Sequence, residues 1–247
     1  MKIDFSFITA HLLLSPDDVE PLVLEVPASH LLDESKIASL LTRMKDLYEA
    51  DDYLLPASAI GMALFNLIAT QQIIQAKYGR QLNMHLDNVR LQVKLFGTFP
   101  VLYIKINDCT LYPAAPITQL VRQMDKPISM IAKAAAIKPS LIYNQFGARS
   151  AQITEAFLLY EKNENVQSTY DSLLNQLKND DFFEKNPFQY EPKYVDSPYE
   201  HGKKMMIRSA CCMFYRKKDG KKCYNCPALS EQARNRMKDE ILSTAKR

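Results

Sequence analysis

Four of the five cysteines in this chain crowd into one short stretch near its C-terminus, Cys211, Cys212, Cys223 and Cys226, in the pattern C-C-x10-C-x2-C. Thiols so close in sequence converge on one inorganic centre with little further ordering of the backbone. Cys223-x-x-Cys226 has the spacing of a tight turn, which aims both sulfurs at one metal. The adjacent pair is the harder half. Neighbouring residues of a regular strand point to opposite faces, so the chain must bend at Cys211–Cys212. Zinc ribbons usually separate the members of a ligand pair by a few residues, whereas four thiolates are also the usual ligand set of a [2Fe–2S] cluster. With two irons to satisfy, each cysteine pair could take one. Zinc held only to fix the C-terminus stays open as an alternative. Thiol–disulfide exchange at Cys223-x-x-Cys226 leaves the adjacent pair unexplained and lacks a thioredoxin-like context.

The same stretch, with Arg208 before the pair, Tyr215-Arg216 after it and Pro227 closing the motif, resembles the C-terminal signature of the FhuF-type ferric-siderophore reductases. The resemblance is specific over the cysteine segment and general upstream, where Ser140–Gly147 sits at the place of a Ser/aromatic/Asn segment in that family. It implies a [2Fe–2S] cluster on Cys211, Cys212, Cys223 and Cys226, which serve as both metal ligands and the redox-catalytic residues. It also implies an oxidoreductase that adds one electron to a ferric siderophore and releases ferrous iron. Such a cluster must be reloaded by an external donor: a ferredoxin, a flavodoxin, or a reduced flavin or nicotinamide system. The chain has no Gly-rich dinucleotide fingerprint of its own. The alternative is a non-enzymatic module whose four cysteines hold a structural zinc or Fe–S site.

Charge sharpens this reading. Between Lys203 and Lys222 stand eight cations against Asp219 alone, a local +7 in a chain of net +3. A four-thiolate cluster is anionic and becomes more so on reduction, so nearby cations favour the reduced form and attract an anionic partner. Lys203, Lys204, Arg208, Arg216, Lys217 and Lys218 are therefore the candidate substrate-binding residues. A basic loop without a nucleic-acid motif does not imply nucleic acid. No run reaches the roughly 18 apolar residues of a membrane span, and Ala59–Ala69 is interrupted by Asn66. The N-terminus does not read as a signal peptide. Clustered thiols with one lone Cys109 suit a reducing compartment, so the expected location is the cytoplasm and the expected role lies in iron homeostasis.

Hydrophobic periodicity predicts an α+β fold: a mainly helical body with a small antiparallel sheet, and a C-terminal iron–sulfur segment ending in a helix. Residues 1–180 form the siderophore-binding body, 181–202 a Pro- and aromatic-rich connector, and 203–247 the cluster segment. Asp33 caps a helix carrying Ile37, Leu40, Leu41 and Met44. Pro56 opens a second helix that stops at Gly79. Alternation at Leu82–Leu86, Val89–Leu95, Val101–Ile106 and Thr110–Tyr112 predicts strands, with another at Leu22–Val26. Pro127 and Pro139 are expected to break the following helices into short pieces. Further helices are expected over 151–161 and 166–177, and a last one after a Ser230 cap. His85-x-x-Asn88 is similar to a His/Asn pair in the nucleotide site of siderophore synthetases. No phosphate loop accompanies it, and its role here is read as structural. Cys109 reads as a buried, inert thiol.

Replacing any one of the four clustered cysteines by Ser is expected to remove most of the iron and acid-labile sulfide from anaerobically purified protein, while Cys109→Ser leaves both unchanged. Metal and sulfide analysis of the five variants checks this.

Overall fold

The computed structural model describes residues 3–244. The chain begins with a short helix, α1 (Ser6–Leu12), which turns through a left-handed Leu13 into a two-residue strand, β1 (Leu14–Ser15). Strand β2 (Leu22–Pro27) follows, then a 3-10 turn and helix α2 (Glu34–Tyr48). Asp33 Oδ1 accepts the Ser35 and Lys36 amides at 3.0 and 3.1 Å. This satisfies two of the free N–H groups of the first turn, as a cap should.

Helix α3 (Leu54–Tyr78) is the centre of the molecule. It starts two residues ahead of Pro56 and ends at Gly79, whose φ of 62° is a conformation glycine adopts without strain. By length and composition α3 could cross a membrane, yet 83% of its most apolar window is buried by the rest of the chain. A helix apolar on all sides needs neighbours all round, and α3 finds them in the other elements of the body.

Strands β3 (Arg80–Leu82), β4 (Val89–Phe96), β5 (Phe99–Ile106) and β6 (Leu111–Pro113) follow. Val89, Leu91 and Val93 on β4, and Leu102, Ile104 and Ile106 on β5, supply the buried face. Gly97, at φ 62°, makes the tight turn between them. The main sheet has the order β1-β5-β4-β2. Its pairs are antiparallel except β1–β5, which is parallel. The expected strands at Leu82 and Leu111 form elsewhere: β3 and β6 pair only with each other, and Leu86–Asn88 is a 3-10 turn. Alternation reveals a strand but not its partner.

The expected fragmentation at the prolines does not occur. Helix α4 (Ile117–Ala134) runs straight through Pro127. Pro127 costs the helix one hydrogen bond; Gln123, four residues earlier, is exposed, so water is available to its carbonyl. Meanwhile Met124, Ile128 and Ile131 keep the buried face continuous. Pro139 opens the next helix, at a position where its missing N–H costs nothing, and α5 (Pro139–Tyr160) continues unbroken through Gly147. Helix α6 (Glu164–Lys178) is capped by Asn163.

The connector is ordered, as its aromatic content suggests. Asn186 Nδ2 donates to the Leu177, Lys178 and Asp180 carbonyls, closing the end of α6, and its Oδ1 accepts the Phe188 amide. Phe183 packs edge-on to Tyr143, and Phe188 is buried. Strands β7 (Tyr194–Asp196) and β8 (Lys204–Met206) form an antiparallel hairpin that leads into the cysteine segment. Helix α7 (Glu231–Thr244) closes the described chain, with Ser230 Oγ accepting the Ala233 amide at 3.2 Å.

Gly147 is the contact through which the connector reaches α5. A Cβ there would lie 2.6 Å from Tyr190 Cβ and 2.7 Å from the Pro187 carbonyl oxygen, and the latter is backbone and cannot rotate away. Gly147→Ala is expected to destabilise the protein by about 1–3 kcal/mol, the usual cost of overpacking. The shift of the denaturant midpoint at constant slope measures it.

Candidate metal centre

The segment after β8 is held to the body from both sides. On one side, Tyr190 Oη donates to the Ile207 carbonyl at 2.7 Å, and Ser209 Oγ accepts the Ala148 amide of α5 at 2.9 Å. Ser58 of α3 lies 2.8 Å from Gln145 Oε1 and 3.1 Å from the Cys212 carbonyl, its single proton shared between the two acceptors. Past the adjacent cysteines Met213 takes a left-handed conformation, φ 59°, which supplies the bend that the pair demands.

On the other side, Phe214–Lys217 docks where α2 passes into α3. The Asp51 amide donates to the Arg216 carbonyl at 2.9 Å, and the Lys218 amide to the Glu49 carbonyl at 2.7 Å. The Arg216 guanidinium pairs with Asp52, and the Phe214 ring meets Phe99 edge-on. Burial works against the Asp52 charge, but the Arg216 hydrogen bond and the Leu54 amide override it and hold the carboxyl below its usual range. Gly220 then lets the chain return, since a Cβ there would sit 2.8 Å from two carbonyl oxygens, those of Lys217 and Tyr215.

The second cysteine pair sits in the tight turn that its spacing implies, with the Cys226 amide donating to the Cys223 carbonyl at 2.9 Å. Asn225 Nδ2 donates to the Met206 carbonyl, and the Asn225 carbonyl accepts the Arg208 amide. From α7, Arg234 donates to the carbonyls of Tyr224 and Cys226, both at 3.0 Å. The last helix therefore presses the turn into place through one arginine rather than through a buried face; α7 has no buried residue among those described.

These contacts bring the four thiols together. Cys211 and Cys226 Sγ are 3.7 Å apart, a contact between the first and fourth cysteines of the motif. Cys223 lies near both Cys212 and Cys226. Burial pushes the Cys211 thiol up to about 11, with the neighbouring sulfurs of Cys226 and Cys212 adding to it against the Met213 amide. Burial also raises Cys223, opposed by the nearby Arg208 charge. Sulfurs this close cannot all ionise unless cations lie among them. Four thiolates are the usual ligand set of a [2Fe–2S] cluster. The donor set therefore fits a binuclear cluster, with Cys211, Cys212, Cys223 and Cys226 as the residues that would hold it.

Such a site defines an iron–sulfur protein. Residues 208–227 match the family described as FhuF 2Fe-2S C-terminal domain. Residues 208–227 thus carry the motif of a FhuF-type domain, whose cofactor is a [2Fe–2S] cluster. No curated protein and no solved structure matches the chain.

The six expected cationic binding residues do not form one patch. Arg216 is paired with Asp52 and Lys203 with Glu200, while Lys217 lies over the Phe214 ring. Lys204 and Lys218 are exposed. Arg208 alone among them lines a cavity, of about 390 Å³, which it shares with Cys212, Asn66, Gln145, Arg149 and Gln152. The sequence reading missed Arg149. Its signal was the polar run Gln145, Arg149, Gln152 at helical spacing. Cys109 is half-buried, and burial with the Asp108 charge raises its thiol. Asn88 is structural: its side chain brackets Asn83 and Asp108 through three hydrogen bonds.

Asp52→Asn is expected to loosen the Phe214–Lys218 loop, raising amide exchange there several-fold at pH 7. A carboxyl held below its ordinary value stabilises above that value and loses its effect as pH falls through the lowered one. The difference between parent and variant should therefore persist through mild acid and close only below the ordinary carboxylate range. Exchange rates corrected for intrinsic pH dependence check it.

Proposed function

We propose that the protein is a ferric-siderophore reductase acting in the reducing environment of the cytoplasm. The carrying observation is the gathering of Cys211, Cys212, Cys223 and Cys226, with the Cys211 and Cys226 sulfurs in contact, on a segment that matches a [2Fe–2S] family and borders an open cavity. A [2Fe–2S] cluster, when bound, supplies one electron at a time. Ferric ion bound by oxygen donors gains that electron and becomes ferrous; its bonds to the donors weaken and the ion leaves. The electron comes from an external one-electron source, such as a ferredoxin, a flavodoxin or a reduced flavin or nicotinamide system, which is oxidised in turn. No covalent bond of the ligand breaks.

The chain's own residues hold the thiols, keep them near the surface and surround them with positive charge. Cys211, Cys212 and Cys223 are only half-buried, so a chelate approaching this face stays close to the sulfur atoms. The Arg208 charge lies near enough to Cys223 to favour its thiolate. Lys203, Lys204, Lys217 and Lys218, with Arg216, add a diffuse field that draws in an anionic chelate and weakens with salt, since exposed charges are screened beyond about 8–10 Å. The division of labour follows the chain, with residues 1–180 as the chelate-binding body, 181–202 as connector and 203–247 as the cluster segment.

In anaerobic stopped-flow mixing, the reduced protein is expected to reoxidise when a ferric siderophore is added, with ferrous iron appearing in a ferrous trap and the rate saturating with chelate concentration. Reoxidation no faster than that of an unrelated [2Fe–2S] protein would point instead to a structural or sensory cluster.

A further inference from the structure

The cavity beside Cys212 lies between α3, β5, α5 and the strand leading to the cysteines. Its volume of about 390 Å³ falls at the small end of the range for ligand pockets. Tyr48, Phe99 and Met62 give it apolar walls, and its only charged residues are Arg149 and Arg208. Among the described residues neither arginine forms a salt bridge. Arg149 is tied at one end by a hydrogen bond from its guanidinium to the His11 carbonyl. Burial, with the Arg208 charge, holds the Arg149 guanidinium below its usual value. Two half-buried like charges without a carboxylate are costly, and the cost is relieved by an anion. Asn66 also lines the cavity, and its Nδ2 donates to the Leu12 carbonyl. Cys212 alone of the four cysteines lines this cavity, so the cavity adjoins the metal centre rather than containing it.

We propose that this cleft seats the ferric chelate, with Arg149 and Arg208 gripping anionic oxygen donors, and that it therefore selects compact, negatively charged chelates of the carboxylate or catecholate type over neutral or cationic ones. The proposal rests on the reductase reading and adds to it the binding residues and the charge class of the substrate. Guanidinium groups suit this task because their planar forks bind paired oxygens. A chelate seated here is separated from the metal centre by one cysteine side chain.

Gallium(III) has the coordination chemistry of ferric ion but is not reduced, so it separates binding from turnover. Binding of gallium(III) citrate and of a neutral gallium(III) trihydroxamate to the cluster-loaded protein is measured by calorimetry, and reoxidation by the matching ferric chelates in parallel. Gallium citrate is expected to bind the more tightly. Arg149→Gln and Arg208→Gln should each weaken it about 10- to 100-fold, the range that follows from losing one hydrogen bond to a charged group. In these variants the visible spectrum of the cluster is retained and KM for ferric citrate rises, while Arg149→Lys partly restores binding. Gln152→Glu, which alters charge with little change of shape, should weaken the anionic probe where an arginine variant fails to fold. Unchanged citrate binding in variants with an intact cluster spectrum overturns the pocket assignment, even if the parent reduces every chelate. Equal affinity for the neutral chelate overturns the charge selection. Citrate binding that depends on both arginines, without reoxidation by any ferric chelate, supports the pocket and sinks the reductase reading instead.

Discussion

Burial of α3 on every side is the constraint on which the rest of the structure depends. A helix of that length and apolarity is stable in water only when other elements cover it, and its neighbours are arranged by that need. Among the polar side chains it buries, two tie it to its surroundings in ways that bear on the site. Ser58 faces Gln145 and the Cys212 carbonyl, and Asn66 holds the end of α1 through the Leu12 carbonyl. Buried polar groups must be partnered, so these positions tie the core helix to α5, to α1 and to the metal segment. Ser58 thus links the rigid centre of the body directly to the site.

The cysteine segment has little core of its own. No residue from Cys211 to Lys217 is fully buried, and in the turn that follows only Tyr224 and Cys226 are. Its position comes from backbone hydrogen bonds to Glu49 and Asp51, from Arg216 on Asp52, and from Arg234 on the carbonyls of the second turn. Contacts of that kind orient a chain without contributing much hydrophobic stabilisation. Metal binding to thiolates is itself folding free energy in small metal-bound segments, so the cluster and the segment that holds it stabilise each other.

The distribution of positive charge shows why a count of basic residues says little about a binding site. The strongly basic run around the cysteines is largely paired or solvated: Arg216 is committed to Asp52, Lys203 to Glu200, and Lys217 rests on an aromatic ring. The cations free to meet an anion at the cavity are Arg208, from that run, and Arg149, from a helix whose sequence is otherwise unremarkable for charge. Local density steers a partner; desolvation and the lack of a carboxylate give a charge its grip.

By itself the sequence determined the features whose causes are local. Asp33 as a cap, Gly79 as a stop, the alternating strands at Val89 and Val101 and the tight Cys223–Cys226 turn each follow from steric or hydrogen-bonding demands within a few residues. The four clustered thiols also pointed to a metal centre, with an iron–sulfur cluster favoured and zinc left open, because both use that donor set. Only the tertiary structure decided that α4 survives Pro127, since a continuous buried face outweighs one lost hydrogen bond. It likewise decided that β3 pairs with β6 rather than joining the main sheet, and that Cys211 meets Cys226. The cavity beside Cys212 belongs to the same group. Its arginines are 59 positions apart in the chain, and no local propensity reports which distant charges will share a wall or whether a carboxylate will come with them.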